Sequence, residues 1–303
     1  MRVPTASAYD RSIDAIQQRR AEISRIQDQL SSGRRVNSLS DDPASAAQAE
    51  RLRSQTAKMD TDRRIVEFAK QALSQAEGAV GSAVSELQSV RETLLQAGNG
   101  TLVASDRAAL AQQLQGSYDQ LLSIANSSDG SGGYIFGGAG TTTAPFSTAA
   151  TVVYNPQGAE QTTATDPSLA ISQNGYDSFM NLATAGGPTS VFTVLADAIT
   201  LLQDPNATPA ALQSGIKTAI DGTDAGLNQL QVKRSAIGES LRLIDSQEQS
   251  IDSSTLNLKA HLSDLIDVDY PKVVTELATN QTALDAALKT YAQISKMSLF
   301  DYL

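Results

Sequence analysis

The sequence predicts a mainly α fold: an elongated helical bundle, in effect a coiled-coil rod, with a small mainly β insert in the middle of the chain. Three observations predict it. Leu52, Met59, Val66, Leu73, Val80, Leu87 and Leu94 recur every seven residues, with Ala69, Ala76, Ala83 and Val90 three residues after Val66, Leu73, Val80 and Leu87. Leu230, Ile237, Ile244, Ile251, Leu258 and Leu265 keep the same period late in the chain. Between the two ladders, residues 127–190 turn rich in Gly, Ser, Thr, Ala and Pro. A seven-residue apolar repeat with a second apolar position three or four residues on is the seam of a long helix packed on other helices. Two such helices, far apart in sequence, are expected to pair as the core of the rod.

Composition agrees with narrow seams. Apolar residues make up 41% of the 303, but aromatics only 5%, and Trp is absent. Ala, Leu, Ile and Val must therefore do most of the packing, which suits helix–helix contacts. The net charge of −10 argues against a nucleic-acid binder, because phosphate contact needs a basic face. With no Cys and a single His, His261, thiolate chemistry, Cys/His zinc sites and His-based triads are excluded by inventory. No run reaches the length of a membrane span, so no membrane insertion is expected. Met1-Arg2-Val3-Pro4-Thr5 lacks the apolar core of a secretory signal, which predicts a cytoplasmic protein or export without a cleaved signal.

In chain order, a first helix is expected over about Ser7–Leu30, with Ile13, Ile16, Ile23, Ile26 and Leu30 on one stripe and Gly33 just past its end. Asp41-Asp42-Pro43 opens the next, with an Asp cap and Pro at the first helical position. That helix should run to about Ala97, roughly 80 Å at about 1.5 Å per residue. Gly78 and Gly81 weaken it by about 1 kcal/mol each relative to Ala and predict a bend. Ser105 is expected to cap a third helix reaching Asn126. In the insert, Tyr134–Phe136, Thr151–Tyr154 and Leu169–Ile171 read as short strands between turns such as Asn155-Pro156 and Asn174-Gly175. Phe192–Gln203 reads as a helix, Pro209 opens another to about Gly222, and the second ladder follows over about Asp224–Asp264. A last helix should start near Asp269-Tyr270-Pro271 and reach Leu299.

That last helix carries Val274, Leu277, Leu284, Leu288, Tyr291 and Ile294 at heptad-like spacing, and its expected partner is the first helix. Residues 1–35 hold seven Arg against four acids, net +3; residues 262–303 hold six acids against three Lys, net −3. Opposite charge favours the pairing and steers its register. Both helices are marginal alone in water, so they are expected to fold fully only against other copies or other proteins. Leu299, Phe300, Tyr302 and Leu303 form an apolar chain end that calls for burial in a partner or chaperone. The segments are then an N-terminal assembly segment (1–42), two halves of the rod (43–130 and 191–265), an outer insert (131–190) and a C-terminal assembly segment (266–303).

Three motifs invite a sharper chemistry. Asp264, Asp267 and Asp269 are too few and too irregular for a calcium loop, and the last of them suits a helix cap. The Gly130–Gly140 run lacks the Gly-Lys-Ser/Thr ending of a phosphate loop and reads as turns. Near a helix end, His261 reads as a surface residue favoured by the helix dipole. Arg34-Arg35 stays open between a docking patch for an acidic neighbour and a solvated connector.

Leu30-Ser31-Ser32-Gly33-Arg34-Arg35-Val36-Asn37-Ser38-Leu39-Ser40-Asp41-Asp42-Pro43 closely resembles the N-terminal signature of the flagellin superfamily, and Leu87–Thr101 resembles its matching segment. Ser40–Pro43, Asp129–Gly138, Thr143–Phe146 and Ser298–Leu303 are more similar to the subunits that join hook and filament than to filament flagellins. The likeness covers roughly 1–146 and 225–303. It implies a structural subunit, not an enzyme, without cofactor or metal, exported by the flagellar type III apparatus to the extracellular flagellum. Its implied partners are other copies of itself in a ring, a neighbouring hook-associated protein, flagellin and an export chaperone. A flagellin-type filament subunit is the nearest rival. A secreted glycan-binding or hydrolytic protein would need its chemistry in residues 127–190, where His and Cys are absent and the aromatics and acids are scattered along the sequence.

Overall fold

The computed structural model describes residues 3–100, 102–130, 132–138, 143–148, 151–155, 162–163, 168, 171–184 and 186–300, with side chains described over 10–293 of these. The chain is mainly helical, with a small β insert. Its elements are α1 (Val3–Ser32), α2 (Pro43–Ala97), α3 (Ala104–Ala125), β1 (Phe146–Thr148), β2 (Val152–Tyr154), a π-helical turn at Tyr176–Met180, β3 (Leu182–Thr184), β4 (Gly187–Thr189), α4 (Val191–Gln203), α5 (Pro209–Ile266) and α6 (Tyr270–Phe300). The chain divides into two units, one of residues 1–60 with 252–303, the other of residues 61–251.

In the second unit, α2 and α5 run antiparallel. Three ion-pair sites bridge them: Lys70 to Asp245 and Glu248 at 2.9 and 2.8 Å, Glu77 to Arg234 at 2.7 Å, and Arg91 to Asp224 at 2.7 Å. Along these stretches the ladders are dry: Val66, Leu73, Val80, Leu87, Leu94, Leu230, Ile237, Ile244 and Ile251 are all buried. The two bonded carboxylates raise the Lys70 pKa well above the usual lysine range.

Two expectations for the helices are corrected. Gly222 ends nothing, because α5 is one helix of 58 residues. Its glycines are there for close approach instead. A Cβ at Gly222 would lie 2.7 Å from Val194 of α4, one at Gly215 would overlap Leu201, and one at Gly226 would sit 3.2 Å from Leu87. The helix keeps its ladder and gives up side-chain volume where α4 crosses it. Nor does Ser105 cap α3: the helix starts one residue earlier, after an extended Val103 that makes no side-chain cap. Ser190, by contrast, does cap α4, its hydroxyl accepting from the Thr193 amide at 3.0 Å.

The insert holds two separate hairpins, β1–β2 and β3–β4, each antiparallel. Thr151–Tyr154 contains β2 as expected. Tyr134–Phe136 does not form a strand; it turns after a single bridge between Tyr134 and Ser128. Leu169 and Ala170 lie outside the described residues. The aromatics scattered in sequence converge in space. Four of the six Phe, at 136, 146, 179 and 192, form one cluster with ring centroids 5.1–6.1 Å apart, and Tyr154 and Tyr118 join it. Asn126, at the end of α3, seats the hairpin on this cluster: its side-chain amide exchanges two hydrogen bonds with the Phe146 backbone, at 2.9 and 3.0 Å. In a chain this poor in aromatics, the rings are spent on the one place where a broad core is needed.

The first unit contains α1, α6, the start of α2 and the end of α5. Here α1 and α6 run antiparallel, with Ile26 packed among Val268, Val273 and Leu277, and Arg19 Nη1 donating to Asn280 Oδ1 at 2.7 Å. The contact face of α6 starts at Val273. Val274, one residue and about 100° further round the helix, is 53% exposed.

Candidate assembly interface

The segment Leu30–Pro43 ties the first unit together, and nearly every residue in it has a bond to make. Gly33 ends α1 in the left-handed region, φ 70°. A Cβ there would also sit 3.1 Å from the hydroxyl of exposed Tyr270, a contact the ring can yield to, so it is the left-handed backbone that calls for Gly. The Gly33 carbonyl accepts from the Val268 amide at 3.0 Å, and the Arg35 amide donates to the Ile266 carbonyl at 2.7 Å. The connector thus pairs with the turn between α5 and α6. Buried Gln29 donates to the Arg35 carbonyl at 2.9 Å, and Asn37 donates to Ser32 Oγ at 2.8 Å.

Arg35 works inside the molecule. Its Nη2 donates to the Leu265 carbonyl at 2.6 Å, meeting one of the orphan carbonyls at the C-terminus of α5, and its Nη1 sits 3.4 Å from Asp42. Arg34 projects into solvent. The pair of arginines therefore splits into a staple and an exposed cation whose side chain has no partner among the described residues.

The two aspartates also divide the work. Asp41 Oδ2 accepts from the Ser38 and Asn37 amides at 2.8 and 3.0 Å and closes the connector; those bonds hold its pKa below the usual carboxylate range. Asp42 caps α2, accepting from the Ser45 amide at 3.0 Å and the Ser45 hydroxyl at 2.6 Å, and its pKa is lowered by the hydroxyl first and the amide second. Pro43 follows as the first helical residue, where no N–H is needed. Asp269 caps α6, accepting from the Lys272 amide at 3.2 Å, and Asp267 accepts from Ser263. Among the described residues no group of three or more His, Asp and Glu side chains could hold a metal ion, and no helix is long and apolar enough to cross a membrane.

Of the expected interface stripe, Ile16 and Ile26 are buried, Ile23, Leu30, Leu277, Leu284 and Tyr291 are half-buried, and Ile13, Val274 and Leu288 are exposed. Side chains at Ile294, Leu299, Phe300, Tyr302 and Leu303 lie outside the described residues. Leu52, Met59 and Leu258 of the expected rod core are half-buried, as is Leu265 at the end of its ladder, unlike the other ladder residues. Sequence reasoning missed Val273 and Asn280, which lie four residues before Leu277 and Leu284 on the same helix face.

Two family models cover the helical ends: that of the bacterial flagellin N-terminal helical region matches residues 4–141, and that of the C-terminal helical region matches residues 220–303. They define the class, a member of the flagellin superfamily with helical ends. Over its whole length the chain is 33% identical to the flagellar hook-associated protein 3 of Escherichia coli (strain K12), covering 99% of each. A flagellin of Bacillus subtilis (strain 168) is 26% identical over 89% of this chain and 88% of its own length. A crystal structure of flagellar hook associated protein-3 from Legionella pneumophila superposes with a TM-score of 0.66, at 19% identity, covering 71% of this chain and 98% of that one, which extends the likeness to the fold. The chain belongs to the hook-associated protein 3 family of the flagellin superfamily.

Proposed function

We propose that this chain is a structural subunit at the junction between hook and filament of the bacterial flagellum, assembling through α1 and α6. The carrying observation is the near-complete alignment with hook-associated protein 3, insert and tails included; the likeness to flagellin is weaker and shorter. The chain acts by assembly and not by catalysis, in an extracellular flagellar setting. Its finer partners follow from the same reading: other copies in a ring, a hook-associated protein on one side, flagellin on the other, and an export chaperone before assembly.

The exposed apolar residues of the terminal helices, Ile13, Val274 and Leu288, support a second layer of packing beyond the α1–α6 pair. The apolar tail from Leu299 to Leu303 belongs to the same assembly surface in this reading. So do the five segments, with 1–42 and 266–303 for assembly, 43–130 and 191–265 for the shaft, and 131–190 facing outward.

Immuno-labelling of intact cells tests the reading. One focus per flagellum where hook meets filament is expected, and deletion should leave hooks in place while flagellin escapes into the medium. Label along the whole filament would make the chain a filament subunit instead.

A further inference from the structure

We propose that the chain carries the two halves of a single self-association contact: an apolar, basic groove at the α1–α2 connector and an apolar, acidic corner where α2 turns into α3. The groove lies wholly within the first unit and encloses about 690 Å³. Val36, Ala49 and Ile266 form its buried floor. Leu39 stands at its lip, 73% exposed, with no fold-internal reason to face water. The guanidinium groups of Arg34 and Arg51 line it without a side-chain partner among the described residues. The other charges around it are engaged: Arg35 with Asp42, Arg53 with Glu50, and Asp41 with two connector amides.

The corner lies wholly within the second unit. Leu95 and Val103 are 51% and 59% exposed there, beside half-buried Leu102 and Leu110. Glu92 and Asp106 are exposed and without a partner among the described residues. The neighbouring cations are already held, Arg91 by Asp224 and Arg107 by the Asp204 carbonyl.

Each patch alone is an apolar surface that gains from cover. Together they match: unpaired cations around one, unpaired anions around the other. Opposite charge selects the partner and sets the approach, while the leucines and valine supply the buried area. Because the two patches differ, the contact is head-to-tail, the kind that adds copy upon copy instead of stopping at a dimer. The occupant of the groove is therefore the α2–α3 corner of a second copy. This inference rests on the reading that the chain assembles with itself.

Charge exchange tests it in the full chain. One variant carries Arg34→Glu and Arg51→Glu, the other Glu92→Arg and Asp106→Arg; all four sites are exposed, and circular dichroism checks that both fold. Each alone should self-associate at least about tenfold more weakly than the parent in sedimentation equilibrium at low salt, and an equimolar mixture should recover the parent affinity. The chain has no Cys, so a Leu39→Cys copy mixed with a Val103→Cys copy gives a second readout: the mixed disulfide should dominate over either like pair. Parent-like sedimentation of the variants, a mixture that fails to recover, or cysteines that couple without preference would each overturn the contact. So would capture of the groove by another protein that the corner variant cannot displace. Labelling at the hook–filament junction with no such preference would sink this contact alone; labelling elsewhere would sink the functional reading on which it rests.

Discussion

Leu73 and Leu52 occupy the same heptad position of one continuous helix, yet Leu73 is fully buried and Leu52 only partly so. On α5 the same contrast separates Ile244 from Leu258. In the second unit the ladders close on each other, and near Leu87 on Val191 of α4 and Leu182 of β3 as well. In the first unit Met59 and Leu258 line an open groove edged by Lys58 and His261. A seven-residue repeat specifies a helix surface that gains from cover. It does not specify whether that cover comes from the same chain. Where the repeat stays half wet, as it does at both Leu52 and Met59, the missing cover is expected from another molecule.

Removing α1 and α6 is the hardest test of that contrast. A chain without residues 1–32 and 270–303 should keep the cooperative unfolding of its second unit and lose assembly altogether, read by denaturation and by rescue of a deletion strain. Normal incorporation of the trimmed chain would show that the wet half needs no terminal helices.

Truncation of the two leucines sharpens the contrast in energy. Leu73→Ala should cost about 2–5 kcal/mol, as wholly buried leucines do. For Leu52→Ala a smaller loss of about 1 kcal/mol in the isolated chain is expected, since part of its surface is already in water, and the larger effect should fall on assembly. Equal losses in guanidinium titrations would mean that the first unit is closed on its own.

Two glycines separate packing from propensity on the same pair of helices. Gly222→Ala should destabilise by about 1–3 kcal/mol, because Val194 would have to retreat. Gly78→Ala, with nothing within 4 Å of the new methyl, should stabilise by up to about 1 kcal/mol. Thermal melts of both variants decide it, and a Gly78→Ala that destabilises would reveal a neighbour on that face.

Much of this was legible in the residues, and the exceptions have physical causes. Periods of seven announced α2 and most of α5, because a seam repeats and burial follows the repeat. Asp-Pro at the head of α2 and Gly33 after α1 announced their ends through capping chemistry. Gly222 misled because one glycine can mean a helix end or a close approach, and only the position of Val194 distinguishes the two. The aromatic cluster was invisible because its members come from α3, the loops, β1, β2, the π-helical turn and α4, a set no local pattern connects. At the interface, Arg34 and Arg35 look alike in sequence; their roles part only once the Leu265 carbonyl is seen within reach of Arg35.

The smallest effect expected is a pH effect on the wet half alone. Asp41 and Asp42 have pKa values lowered by the amides and hydroxyl they accept from. Their contribution to stability is therefore complete above the ordinary Asp value of about 4 and is lost as pH falls from there through the lowered folded values. The dry half offers no such dependence along its buried ladder, which carries no carboxylate. Hydrogen exchange between pH 5 and pH 2, corrected for intrinsic rates, should show the amides of Asn37, Ser38 and Ser45 losing protection first, while those around Leu73 and Ile244 hold. Asp42→Asn should remove most of the change at Ser45 and leave Ser38 as it was, since Asp41 alone serves Ser38. If protection fell together across both units, the connector would be neither the weaker part nor an independent one, and the division into a self-covered half and an open half would lose its thermodynamic meaning.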